Sequence, residues 1–107
     1  PWPGRLPDPP PALVWQRPRR AEMHDAEGQM VRVDRRGGCS GEPARLSIES
    51  GPWQAVVGWS GPWLSDERWW DALAHRRRAR FQLRTVDGTA HLVALESQQW
   101  WVEATYD

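Results

Sequence analysis

The stretch ARFQLRTVDGTAHLVALESQQWWVEATYD, residues 79 to 107, decides the fold. Two apolar runs, Ala79 to Val86 and Ala90 to Glu96, flank the dipeptide Asp87-Gly88, the strongest short-range hairpin signal a sequence carries. A second turn near Gln98-Gln99 leads into Trp100 to Tyr106. Side chains in a strand alternate between faces, so Trp100, Val102, Ala104 and Tyr106 share one face and Trp101, Glu103, Thr105 and Asp107 the other. This reads as a three-stranded meander with one wet face.

Upstream, the same rhythm of short strands and turn residues continues. Ala21 to His24, the turn Asp25-Ala26-Glu27-Gly28 and the return Gln29 to Val33 read as a hairpin. Ala44 to Glu49 places Leu46 and Ile48 on one face. Gly51-Pro52-Trp53 recurs as Gly61-Pro62-Trp63 and brackets the apolar run Ala55-Val56-Val57-Gly58-Trp59. Proline cannot donate to a ladder, so both tripeptides are expected at strand ends, with a buried strand between them. Ser65-Asp66-Glu67-Arg68 has the form of a helix start, predicting a short helix or irregular turn over residues 66 to 76.

Seven of the ten prolines fall within residues 1 to 18, which predicts an extended, proline-rich linker there and a small β domain over residues 19 to 107. Six or seven strands with at most one short helix give an all-β chain. Its architecture is a small antiparallel barrel or a strongly bent sheet, SH3-like or OB-like.

Nine tryptophans in 107 residues exceed what so small a core needs. Each buries roughly 4 to 6 kcal/mol at most, so four or five suffice to anchor the domain. Trp53, Trp59 and Trp100 are expected inside, Trp69, Trp70 and Trp101 outside, and Trp63 on either side. All fourteen basic residues are arginine, and lysine is absent, which codon bias largely accounts for. Arginine and tryptophan are nevertheless the residues most enriched at interface hot spots.

The net charge is zero, which removes the simplest argument for a nucleic-acid binder. Cys39 stands alone, so no intrachain disulfide forms, and the chain reads as cytoplasmic. No apolar run reaches the 18 or so residues of a membrane span. His24, His75 and His91 are scattered without metal-ligand spacing. Asp66, Glu67 and Asp71 read better as a capped helix turn than as a Mg²⁺ site. No nucleophile, metal set or paired carboxylates converge, so a noncatalytic chain without cofactor is expected. The charge stands out only at residues 76 to 84, which carry +5 between acidic flanks. The bland reading is a solvated strand start paired with its neighbours. The sharper one joins Trp69, Trp70, Arg76, Arg77, Arg78, Arg80 and Trp101 into one partner-binding patch.

Three segments then carry a family resemblance. Gly61 to Asp71, the arginine block into Ala79-Arg80-Phe81-Gln82, and the ending Trp100 to Asp107 resemble the extreme C-terminus of ImuB proteins. These are the Y-family DNA polymerase-like subunits of the bacterial mutasome. Pro1 to Pro7 and the prolines after it are similar to the link that follows the polymerase-like body in that family. Across residues 19 to 50 the likeness is confined to the hairpin rhythm and Pro43-Ala44-Arg45-Leu46, and Ala72 and Gln98-Gln99 depart from the family pattern.

The resemblance implies a noncatalytic adaptor acting in SOS-induced translesion synthesis. Its partners would be a RecA-like accessory protein and an error-prone C-family polymerase. A sliding clamp would be bound through a region upstream of this chain. Docking of those proteins is the leading expectation, and an OB-like module for single-stranded DNA is the alternative.

Overall fold

The computed structural model describes residues 13 to 67 and 76 to 106, with side chains described for residues 17 to 65 and 78 to 106. The elements are β1 (Leu13–His24), β2 (Arg45–Ile48), β3 (Gln54–Glu67), β4 (Arg76–Thr85), β5 (Ala90–Glu96) and β6 (Gln99–Tyr106). Every pairing is antiparallel and between chain neighbours, and β1 returns to β6, closing a six-stranded barrel. The expected small barrel is therefore the architecture, closed rather than a bent sheet. Its sequential order differs from the five-stranded Greek key of an OB-fold. No helix occurs among the described residues, and so none long and apolar enough to cross a membrane.

The C-terminal meander forms as its turns dictate. Asp87 Oδ1 accepts from Thr85 Oγ1 and from the Thr89 amide, while Gly88 supplies a φ of 88°. At the second turn, Glu96 pairs with Gln99 across Ser97 and Gln98, both with positive φ. Trp100, Val102 and Ala104 are buried, and Trp101, Glu103 and Thr105 are partly exposed, as alternation requires.

The interior is filled from five strands by Met23, Leu46, Phe81, Leu83, Val93, Trp100 and Val102, among others, and β3 adds the partly buried Val56. The rings of Phe81 and Trp100 meet at 5.5 Å in a tilted arrangement favoured by aromatic quadrupoles. Residues 25 to 44, between β1 and β2, send Val31 into this core, and Trp100 Nε1 donates to the Val31 carbonyl at 3.0 Å. That single bond ties the connection to the last strand.

Four expectations are corrected. The hairpin of residues 21 to 33 is cut short: Asp25 Oδ1 accepts from the amides of Glu27 and Gln29 at the turn, and beyond it the arms are joined by the bridge of His24 with Met30 and the bond from the Val31 amide to the Met23 carbonyl. A second aspartate-led turn at Asp34 then folds the return arm back, and the longer ladder of residues 21 to 24 is the one they make with β2.

Gly61-Pro62-Trp63 does not end a strand. It lies inside the 14-residue β3, where the register with β4 shifts between Ser60 and Trp63, and such a bulge accommodates a residue without an N–H.

Asp66 and Glu67 are strand residues rather than a helix start, set in register opposite Arg77 and Arg76. The rest of the expected helix, residues 68 to 75, lies outside the described residues.

Finally, β1 begins at Leu13, which pairs with Thr105, so strand structure starts before residue 19. Pro18 falls where the β1–β6 register shifts between Val14 and Arg19.

Candidate interaction surface

β3 and β4 form the longest ladder of the barrel, and it carries most of the residues singled out in the sequence. Arg78 and Arg80 project from the outer face of β4 toward Glu96 on β5 and Glu103 on β6. Arg80 grips Glu103 with a fork, Nε to Oε1 at 2.8 Å and Nη2 to Oε2 at 3.4 Å, and its Nη1 donates to Ser65 Oγ at 2.9 Å. Arg78 donates to the same Glu103 at 3.1 Å and to Glu96 at 3.3 Å. All four side chains are mostly buried. Two guanidinium groups and two carboxylates cancel in charge, so this network braces three strands and presents little free positive potential.

Trp101 borders the network. With Pro18, Arg78, Ala94, Glu96 and Glu103 it lines a hollow of about 190 Å³, and the Arg20 guanidinium lies 5.9 Å from its ring centroid. Of the patch expected from sequence, the fold thus brings Arg78, Arg80 and Trp101 together. The backbones of Arg76 and Arg77 start β4, but their side chains are not described, and Trp69 and Trp70 lie outside the described residues.

The surface that sequence reading missed is on β3. Among the described residues, four of the six exposed large apolar side chains, Val57, Trp59, Trp63 and Leu64, lie on β3, and Trp53 stands just before it, which places most of the exposed apolar surface along one strand. The run expected to be buried is therefore largely wet. Trp59 does stand opposite buried Leu83 and 6.0 Å from the Phe81 ring, yet 40% of it remains exposed. Trp53 stacks on His24 at 4.5 Å, outside the core. Trp63, 50% exposed, stands opposite Arg80. A signal was present in the sequence: residues 51 to 65 contain no charged side chain, although charge is 26% of the chain. A continuous apolar run fits a buried strand equally well, so periodicity could not reveal which it was.

Two clefts flank this strand. One, about 540 Å³, lies between β3 residues Val56 to Trp59 and a wall containing Asp25, Glu27 and Glu42. The other, about 1110 Å³, has Met30, Val33, Leu64 and Leu95 with Arg32 and Arg35 along it. Cys39 lines the second cleft, where burial and the charge of Asp34 push its thiol up, away from the thiolate a nucleophile needs. Among the described residues no three His, Cys, Asp or Glu side chains gather as metal ligands would. Comparison of the chain with protein-family models, with curated proteins and with solved structures gives no match.

Proposed function

We propose that this barrel is a noncatalytic docking module of a cytoplasmic mutasome adaptor similar to ImuB proteins. It holds the RecA-like accessory protein or the error-prone C-family polymerase during SOS-induced translesion synthesis, while the sliding clamp is bound by a region upstream. The observation that carries the docking reading is the uncharged run of β3 up to Ser65, with Trp59 and Trp63 each at least 40% exposed. Half-exposed tryptophans on a rigid strand supply large contact area at little entropic cost, which is what an interface anchor requires. The mutasome assignment rests on the resemblance of Gly61 to Asp71, the arginine block and the C-terminal eight residues.

The neutralised Arg78–Glu96–Glu103–Arg80 network speaks against the single-stranded DNA alternative, because a phosphate-binding groove needs unpaired cations. The test is capture of the purified accessory protein and polymerase by this chain, beside single-strand binding at several salt concentrations. Trp63→Ala is expected to weaken capture about tenfold or more while leaving the melting temperature nearly unchanged. Submicromolar single-strand binding that falls steeply with salt, without protein capture, would replace docking by the DNA reading.

A further inference from the structure

The barrel closes unevenly. β2 has four residues and pairs with β3 at only two positions, Arg45 with Ala55 and Leu46 with Gln54, extended by the bond from the Val56 amide to the Ala44 carbonyl. β3 continues for eleven residues past Val56, to Glu67, and there β4 is the one strand that pairs with it among the described residues. From Val57 onward, the edge of β3 that faces away from β4 is therefore unpaired among the described residues.

The 540 Å³ cleft lies where β2 and β3 part. Val56, Val57, Gly58 and Trp59 form one side, and Gly41 to Ala44 with Asp25 to Glu27 form the other. On the β3 side its apolar part is the side chain of Trp59 with those of the two valines. A Cβ built on Gly58 meets nothing within 4 Å, so the face of the strand there is unfilled.

Native edge strands are normally guarded by charged side chains, above all lysine. Residues 57 to 60 carry none, and the register shift between Val56 and Gly58 is their single guard. Charge is concentrated on the facing wall, and all of it is negative. Asp25 is buried and spends Oδ1 on the amides of Glu27 and Gln29. Glu27 and Glu42 are exposed, and neither carboxylate has a cationic partner among the described residues. The cleft contains no basic side chain to offset them.

We infer that this cleft takes an extended peptide segment of a partner protein, added as a strand to that unpaired edge of β3. Its apolar side chain is seated against Val56 and Trp59, and arginine or lysine neighbours face Glu27 and Glu42. Strand addition satisfies the edge amides and carbonyls, and alternate side chains supply specificity. The negative wall selects a basic segment and rejects nucleic acid, whose phosphates it would repel. The inference rests on the docking reading only in taking the occupant to be a protein, and it assigns that protein's contact chemistry.

The experiment uses two capped seven-residue peptides, one alternating arginine with leucine and one alternating glutamate with leucine, titrated into the isotope-labelled chain. The arginine peptide is expected to bind with a dissociation constant below about 1 mM. Amide shifts should concentrate at residues 26, 27, 42 and 56 to 59, and hydrogen exchange should slow on the β3 edge. The double variant Glu27→Gln, Glu42→Gln and, separately, Gly58→Val are each expected to weaken binding at least fivefold without lowering the melting temperature.

Equal binding of the glutamate peptide, shifts centred on the Arg32 and Arg35 cleft, or indifference to both variants would overturn the proposal. So would self-association of the chain abolished by the glutamine pair, because the occupant would then be a second copy. If mutasome proteins are captured through Trp63 and capture ignores Gly58→Val and the glutamine pair, docking stands and this cleft is not its seat. If the arginine peptide seats as described and no mutasome protein is captured, the cleft stands and the partner named above falls.

Discussion

Glu103 is the residue on which the outer face depends, since Arg78 and Arg80 both donate to it and it is itself mostly buried. Removing its charge takes from two mostly buried guanidinium groups the carboxylate they share, and buried charge that loses its counter-charge costs more than the pair gains, although Arg78 keeps Glu96 and Arg80 keeps Ser65. Glu103→Gln is expected to lower unfolding free energy by about 1 to 3 kcal/mol in urea titrations. Glu49→Gln, which breaks the exposed pair with Arg19, should cost less than about 1 kcal/mol.

His91 gives a second residue-scale test. It is buried with Nδ1 3.1 Å from Thr105 Oγ1. Burial lowers its pKa from the ordinary 6.5; nearby Asp87 opposes that shift and Arg19 adds to it. The unfolded chain therefore binds this proton more readily than the folded one. The neutral ring's contribution is complete above pH about 6.5 and declines as pH falls from there toward the lowered folded value. His91→Gln should flatten the fall in urea midpoint between pH 7 and 5.5. An unchanged slope would place that titration elsewhere. Asp87, whose pKa is lowered by bonds from Thr85 and Thr89, acts in a separate window, losing its contribution as pH drops below 3.8.

At the scale of elements, β3 holds both the architecture and the candidate surface. It can run for 14 residues through Pro62 because Gly61 takes a φ of 122° and brings its Cα against β4. A Cβ there would stand 2.7 Å from the Arg80 carbonyl oxygen and 3.2 Å from Phe81 Cα, both backbone atoms that cannot yield cheaply. Gly61→Ala is expected to cost about 2 kcal/mol or more. Gly58→Ala in the same strand, where a Cβ meets nothing, should change stability by less than about 1 kcal/mol. Equal urea midpoints for the two variants would mean that the close approach at Gly61 does not shape the strand.

At the scale of the whole molecule, closure joins β1 to β6, and Trp100 couples that seam to the long β1–β2 connection. Trp100 is 1% exposed, touches Phe81 and donates to Val31. Trp100→Phe keeps an aromatic ring but orphans a buried carbonyl, and about 1 to 3 kcal/mol should be lost. Trp100→Ala also opens a cavity and should cost about 3 to 5 kcal/mol. Thermal unfolding of the two variants checks the order, and the Phe variant should additionally show faster hydrogen exchange at residues 29 to 33.

By itself the sequence determined the C-terminal meander, because Asp87-Gly88, strict alternation and tight turns are local signals that neighbours in the chain enforce. It likewise determined that the chain is all-β and that Trp100 and Val102 point inward. What only the tertiary structure decided depends on residues far apart in the chain. β1 pairs with β2 as well as bridging to Met30, and how soon the return arm turns away is set by the second aspartate turn at Asp34. The acidic residues 66 and 67 belong to a strand whose backbone register sets them across from Arg77 and Arg76 of β4. Most consequentially, the apolar run of β3 is half wet because nothing among the described residues covers Val57, Trp59 and Trp63, and nothing in that run records what will pack over it. Exposure of a strand is set by the elements beside it, and that is information a single segment does not contain.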